Sequence, residues 1–551
     1  MGQLSESVAR QRELAAELVS GCRAAGTTHA FGVPGGGSNL EVVGAVEAHG
    51  MRFVLVHGET AGAIMAGVTG ELTGAPGLCV ATRGPGAASA VNGAAQALLD
   101  RQPMILVTDS VGHEERSRVS HQRLAQQSLL GSVTKASVVL DGADPAAAAR
   151  VVGLALAAPP GPVHVELDPG ASAGAALPGV VDRRDDSAAR DAAVRLLRAA
   201  RRPVVVAGVG AIAQLPEARR ALTAALDELG RGAHVPVLTT YKARGITPDA
   251  APWSAGVVTG ATIESPALDA ADLIVGVGLD PVELVPAPWP YPAPVVLLGA
   301  WPIDDSTYFG EQLTVEVVGA PAELVRFAAA GAQSTWPATA GGAFRAQAVA
   351  EVLAAAPEAA CALTPQHVVT IAREVAPQGT IATVDAGAHM FAAMHLWEVA
   401  APGELLISSG LATMGFALPA AIAAALVRPE LSVVCFTGDG GLGMVLAELE
   451  TLARLHLPVV VVVFNDSALS LIAVKQQPDG QGGADAVSYR ATDFAAIARG
   501  CGLDAARVKD VDGYRAAITT ALARRTPTLI DAEVDPACYG PLLDTIRGQR
   551  R

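Results

Sequence analysis

Short runs of β-branched and other apolar residues recur between Ala-rich stretches along the whole chain, and this alternation limits the fold more than any other feature. Residues 51–56, 77–81, 104–108 and 163–167 are such runs. A strand that is apolar on both faces must be covered on both, which a parallel sheet with helices on either side provides. The predicted class is therefore α/β, with doubly wound domains and mainly parallel sheets. The first set of strands stops at the polar segment 181–187, which reads as a linker. A second set opens at 202–210, a strand running into a glycine turn, and continues through 272–278. The Ala/Gly-rich, weakly patterned stretch 328–343 reads as the next connection, and a third set begins near Thr364. Three domains are expected, over 1–180, 190–335 and 355–545, as suits 551 residues. The first and third share length and strand rhythm, as duplicated folds can.

With 54 acidic against 39 basic residues the net charge is -15, which disfavours non-specific contact with nucleic acid or anionic membranes. The six cysteines are scattered and form no Cys-x-x-Cys pair, against both a zinc cage and a disulfide framework. Residues 1–21 alternate charged and apolar positions and read as an amphipathic helix, not a secretory signal. The apolar run 458–464 is far short of a bilayer span. A cytoplasmic location is expected.

The sharpest local signal is Gly438-Asp439-Gly440-Gly441, between an apolar run at 431–436 and a helix expected from about Val445. Glycines let backbone amides approach phosphate oxygens, and a carboxylate there can hold a divalent metal that bridges them. A second strand, 458–464, ends in Asn465-Asp466-Ser467-Ala468, which brings more oxygen ligands to the same sheet edge. Alone, either could be a turn or a loop cap. Together they point to a metal-diphosphate site.

The segment 438–475 resembles the cofactor motif of thiamine-diphosphate enzymes, and Glu448-Leu449 and Leu457-Pro458 also fall where acetolactate synthases carry them. The resemblance implies Mg²⁺ ligands Asp439, Asp466 and the Ala468 carbonyl, with Asp466 standing where the family has asparagine and Asn465 as the alternative. Upstream, 56–62 and Ala81-Thr82-Arg83-Gly84-Pro85-Gly86 resemble the family's catalytic glutamate and the turn behind it, which makes Glu59 the carboxylate beside the aminopyrimidine. His57, displaced by Gly58, receives no role. A third match, 409–419, implies that Met414 is the apolar wedge holding the cofactor bent, with the Ala412 carbonyl and Met414 amide on the pyrimidine. Gly387, His389, Gly438, Gly440 and Gly441 would face the diphosphate. The first and third domains become pyrimidine- and diphosphate-binding, with the cofactor between subunits of a homodimer or homotetramer.

The stretch 108–135 also resembles acetolactate synthases: Gln122 matches an active-site glutamine, while His121 and Arg123 replace phenylalanine and glutamate. His121 could donate a proton or simply pack. Lys475 stands where a pocket tryptophan shapes the second-substrate site, beside Leu471, and is either a cation for an acidic substrate or a solvated lysine. Gly36 and Gly37 belong to a turn that presents backbone to the substrate pocket. The flavin segment of biosynthetic acetolactate synthases is replaced by Leu279-Asp280-Pro281-Val282-Glu283-Leu284, so FAD is not expected. The implied reaction is decarboxylation of a 2-oxo acid with transfer of the acyl carbanion equivalent to a carbonyl acceptor. Simple decarboxylation, aldehyde lysis or a non-catalytic nucleotide-binding relative are the alternatives.

Overall fold

The computed structural model describes residues 2–111, 118–169, 187–303, 306–330, 332–356, 363–476 and 484–548, with side chains from residue 8 onward. The chain divides into two compact units, one of Met1–Val181 with Ile422–Val427, the other of Asp182–Ala421 with Arg428–Arg551.

The first unit carries strands β1 (His29–Val33), β2 (Arg52–Leu55), β3 (Gly77–Ala81), β4 (Met104–Thr108), β5 (Ala136–Leu140) and β6 (Pro162–Leu167). They form one parallel sheet in the order β2-β1-β3-β4-β6-β5. Every residue of β3, β4 and β6 is buried; β3 and most of β4 accordingly read as apolar runs, whereas β6 also buries His164 and Glu166. The helix Gly2–Ala24 buries Leu14, Leu18, Val19 and Cys22, the spacing of one helix face, in the core on this sheet.

The second unit holds two more parallel sheets. One is built from β7 (Pro203–Ala207), β8 (Val237–Thr239), β9 (Ser254–Val257), β10 (Leu273–Val277), β11 (Val295–Gly299) and β12 (Leu313–Val318), in the order β12-β11-β10-β7-β8-β9. Read from β9, its chain order is 3-2-1-4-5-6, the winding of dinucleotide-binding sheets. The other comprises β13 (Ile381–Val384), β14 (Leu405–Ile407), β15 (Val433–Gly438), β16 (Val459–Asn465), β17 (Asp504–Val508) and β18 (Thr528–Glu533), in the order β14-β13-β15-β16-β18-β17. That order repeats the first unit's sheet strand for strand, as the shared rhythm of the sequence suggested. The fold is thus three doubly wound α/β sheets.

Two local expectations need correction. Residues 340–343 are not connecting chain but the start of a helix, Ala340–Ala354. Its alanines favour helix while giving no apolar contrast, so no period was visible. Nor does the helix after β15 wait for Val445: Gly438 is its N-cap, and Asp439–Met444 already form a helical turn, followed by a second helix at Glu448–Arg454. Glycines at 440, 441 and 443 hide that turn from propensity. The proposed linker 181–187 lies, apart from Ser187, outside the described residues. Cys22, Cys79, Cys435, Cys501 and Cys538 are free thiols, and Cys361 lies outside the described residues. Among the described residues no helix is long and apolar enough to cross a membrane.

Candidate active site

Parallel pairing sets Gly438 of β15 opposite Phe464 of β16, so the residues after both strands emerge at one carboxyl edge. Asp439 Oδ1 accepts from the Gly440 amide at 2.7 Å, and its Oδ2 is buried with no partner among the described residues. Asp466 Oδ1 accepts from the Ala468 amide at 3.1 Å, and its Oδ2 takes the Ser470 hydroxyl. Burial raises the pKa of both carboxyls. For Asp466 the result is about 7, burial being opposed by the Ser470 hydroxyl and reinforced by the charge of Asp439. Two such carboxylates repel an anion, whereas a divalent cation would relieve their repulsion and link them to a phosphate. Asn465 is anchored through its amide nitrogen, Nδ2 donating to the Thr492 carbonyl at 3.0 Å and to Asp531 Oδ1 at 2.8 Å. No group of three or more His, Cys, Asp or Glu side chains forms a metal cluster among the described residues.

His389 is buried, stacked on Phe464 at 4.9 Å, with its ring edge 2.8 Å from where a side chain on Gly387 would begin. Burial lowers its pKa to about 4, so the imidazole is neutral near pH 7, and Nε2 has no partner among the described residues. A buried polar atom left unpaired costs free energy that a phosphate oxygen or hydroxyl would recover. Gly440 and Gly441 are glycine for a reason that the motif does not reveal. A side chain at Gly440 would start 2.8 Å from Leu469 and 3.3 Å from the Met414 methyl, and one at Gly441 would start 2.2 Å from Asp385 Oδ2.

Asp385, directly after β13, organises this edge. Its Oδ1 accepts from the amides of Phe416 (2.7 Å) and Ala417 (3.2 Å), and its Oδ2 from the Thr437 hydroxyl (2.7 Å). It thereby ties the Met414 segment to the end of β15, and burial raises its pKa to about 6. The Met414 segment is itself closed by the Thr413 amide donating to Ser408 Oγ at 3.2 Å. Ala412 sits in the left-handed region at φ 51°, a conformation costing a non-glycine residue roughly 1–2 kcal/mol and enriched at functional sites. From the sheet that precedes it, Lys242 donates to the Ile407 carbonyl at 3.1 Å, one residue before Ser408. Arg244 of the same loop donates to the carbonyls of Met394 and Trp397 and pairs with Asp249. Leu471 is partly buried against the core, and Lys475 ends the helix Ser470–Lys475 half-buried.

In the first unit Glu59 opens the helix Glu59–Thr73 that follows β2. A side chain at Gly86 would begin 3.0 Å from Glu59 Oε1, so the Gly84-Pro85-Gly86 turn lies directly against the carboxylate. The turn is held by Gln126, whose Oε1 accepts from the Gly84 amide at 2.7 Å. Gln126 Nε2 in turn reaches the Asp109 carbonyl at 2.9 Å and Glu166 Oε1 at 3.0 Å. Gln122, at φ 57°, lines a cleft of about 380 Å³ with Arg83, Arg123, Gln126 and Glu166. His121 is exposed and is not part of that lining. Asp109 Oδ1 accepts from Ser38 Oγ (2.7 Å) and the Asn39 amide (2.8 Å), fixing the loop in which Gly36 faces open space and Gly37 abuts Asp109.

Sequence reasoning missed Asp385, Gln126 and Lys242. Asp385 had a signal, an acidic residue at the carboxyl end of a parallel strand two positions before Gly387, whereas Gln126 and Lys242 act through contacts that no local motif marks.

Three family models match in chain order: the N-terminal thiamine pyrophosphate binding domain over residues 12–129, the central domain over 190–325, and the C-terminal thiamine pyrophosphate binding domain over 385–532. The acetolactate synthase large subunit of Parasynechococcus marenigrum is 31% identical over 94% of this chain and 87% of its own length. Acetolactate synthase of Bacillus subtilis is 28% identical, covering 94% and 93%, and the isozyme 1 large subunit of Escherichia coli 27%, covering 92% and 91%. Three matched domains in order, joined to a likeness that runs almost end to end, place the chain in the thiamine pyrophosphate enzyme family, among its acetolactate synthase-like members.

Proposed function

We propose that this enzyme is a carboligase that decarboxylates a 2-oxo acid and transfers its acyl carbanion equivalent to a carbonyl acceptor, using thiamine diphosphate with Mg²⁺. The observation that carries the reading is the pair of unpartnered buried atoms, Asp439 Oδ2 and His389 Nε2, in the domain matched as the C-terminal binding domain. Asp439, Asp466 and the Ala468 carbonyl would hold the cation, and His389 with the backbone of Gly387, Gly438, Gly440 and Gly441 would hold the diphosphate. Asn465, bound to Asp531, would support this edge from behind. Bound thiamine diphosphate supplies a thiazolium carbon that can carry the electron pair released when CO₂ leaves. Glu59 would hold a proton on the aminopyrimidine, and the Gly84–Gly86 turn would shield that contact from water. Met414 and the Ala412 carbonyl would fix the orientation of the two rings. Gln122 and the neighbouring His121 are assigned to the substrate, as are Gly36, Gly37, Leu471 and Lys475. A cationic Lys475 favours a 2-oxo acid or acceptor with an additional acidic or polar group.

The proposed domain limits remain 1–180, 190–335 and 355–545. The active assembly is proposed to be a cytoplasmic homodimer or homotetramer in which Glu59 and Asp439 of one site come from different subunits. The reading is tested with a panel of 2-oxo acids, with and without aldehyde acceptors, and products identified by mass spectrometry. Acyloin-type products dependent on thiamine diphosphate and Mg²⁺ are expected, and free aldehyde as the sole product would replace carboligation by decarboxylation. Glu59→Gln is expected to bind the cofactor normally and to lose about 10²–10⁴-fold in kcat. Undiminished deuterium exchange at the thiazolium carbon would remove Glu59 from its role.

A further inference from the structure

The sheet of β7–β12 has the winding of a dinucleotide-binding domain, and its strand order reverses between β7 and β10. In such sheets a dinucleotide lies in the crevice beyond the carboxyl ends of those two strands, with its phosphates on the amides that open the next helical turn. Here that crevice is closed by the chain itself. The loops after β7 and β10 touch: the Gly210 amide donates to the Gly278 carbonyl at 2.9 Å, and a side chain at Gly208 would start 2.6 Å from that same oxygen. Gly278, at φ 58°, would bring a side chain within 2.4 Å of the Gly210 backbone. These glycines serve loop-to-loop packing, where a cofactor fingerprint would spend them on phosphate.

The amide of Val209, the first residue of the helical turn after β7, donates to Glu283 Oε2 at 2.5 Å. The second oxygen, Oε1, accepts from the Thr240 hydroxyl at 2.7 Å, at the end of β8. The glutamate is delivered by the short 3₁₀ turn Pro281–Glu283, which Asp280 caps by accepting from the Val282 amide at 3.1 Å. A carboxylate thus meets the amide that opens the helical turn after β7, the kind of donor a phosphate takes in such sheets, and it carries the same charge sign. Between β10 and β11 the neighbouring void, lined by Gly278, Asp280, Leu298 and Trp301, measures about 10 Å³, room for one water and not for a nucleotide.

We propose that Glu283 is an internal anion occupying the phosphate position of the central domain, so that the domain is closed to FAD and other dinucleotides and serves as a brace. Its partner Thr240 begins the loop that carries Lys242, which donates to the Ile407 carbonyl, and Arg244, which donates to the carbonyls of Met394 and Trp397. FAD does not fit the residues present, and no step of the reaction passes through it.

The test uses the holoenzyme saturated with thiamine diphosphate and Mg²⁺, so that the cofactor site cannot bind the probe. FAD and ADP are titrated, with flavin fluorescence and melting temperature as readouts. Wild type is expected to retain no flavin through gel filtration and to show no shift with ADP. Glu283→Ala, which frees the Val209 amide and the Thr240 hydroxyl and removes the side chain that fills their approach, is expected to bind ADP at least tenfold more tightly than Glu283→Gln, which keeps the shape and removes only the charge. Stoichiometric FAD or ADP binding by wild type would overturn the proposal. So would a folded Glu283→Ala, judged by circular dichroism, that remains as indifferent to both nucleotides as the parent. Because the readout is nucleotide binding, failure here leaves the 2-oxo acid chemistry untouched.

Discussion

Asp466 and Asn465 are adjacent in sequence yet stand in different surroundings, and the proposed metal role of Asp466 rests on that difference. Asn465 ends β16 with its amide on Asp531 and Thr492, while Asp466 turns onto the amide of Ala468 and the hydroxyl of Ser470 and feels the charge of Asp439. Asp439→Ala is therefore expected to abolish Mg²⁺-dependent thiamine diphosphate binding. Asp466→Asn should be tolerated, since an amide oxygen still offers a neutral ligand. Calorimetric titration separates the possible registers: if Asp466→Ala leaves binding unchanged while Asn465→Ala, in a folded protein, removes it, the ligand is Asn465. At the same scale the motif points to Asp439 and Glu59 as candidates but gives no hint of the packing that also requires its glycines. That Gly441 must make way for Asp385 depends on a residue 56 positions away, and no local pattern carries it.

Among the elements, the edge formed by β13, β15 and the Met414 segment is held by one carboxylate. Asp385 accepts three hydrogen bonds while buried, two from amides that no neighbouring turn of helix satisfies and one from Thr437. Asp385→Ala leaves those donors in a dry interior, each costing about 1–3 kcal/mol. The expected outcome is a lower melting temperature of the cofactor-free enzyme and at least a tenfold loss of thiamine diphosphate affinity. Asp385→Asn should restore most of the stability, because its oxygen can still accept from Phe416. Equal affinity in Asp385→Ala and wild type would show that the Met414 segment holds its shape without this tie. Secondary structure at this edge was legible wherever apolar runs were long. It was not legible at Asp439–Met444, where glycine content argues against the helical turn that tertiary contacts impose.

Across the whole molecule, buried titratable groups of opposite tendency set the pH response. Burial depresses His164 to about 3 and His389 and His395 to about 4, so each takes up a proton mainly on unfolding. Their contribution is present above the unfolded value near 6.5 and is lost as pH falls toward the folded value. Asp385, raised to about 6, acts in the opposite sense, losing stability as pH rises from about 4 through 6. His164 isolates one term, since its nitrogens are bonded to Thr108 Oγ1 at 2.8 Å and Ser137 Oγ at 2.6 Å. Between pH 6.5 and 4, His164→Gln should weaken the pH dependence of protection in β4 and β6 by about 1.4 kcal/mol per pH unit. Amide hydrogen exchange of those strands measures it, and an unchanged slope would mean that His164 is already protonated in the fold.

The sequence alone determined the α/β class, the positions of most buried strands and the identity of the cofactor motifs. Those properties reside in local composition: a strand covered on both faces is mainly apolar, and a phosphate-binding turn needs its glycines and acid at fixed spacing. Only the tertiary structure decided what each motif residue faces. It turned Asn465 toward Asp531, set Asp385 against Gly441, held the Gly84 turn with Gln126, and filled the central domain's crevice with Glu283. Each of those contacts joins residues dozens of positions apart. The direction of a side chain at a strand end is set by the neighbouring strands and loops that pack around it, and no window of sequence contains them.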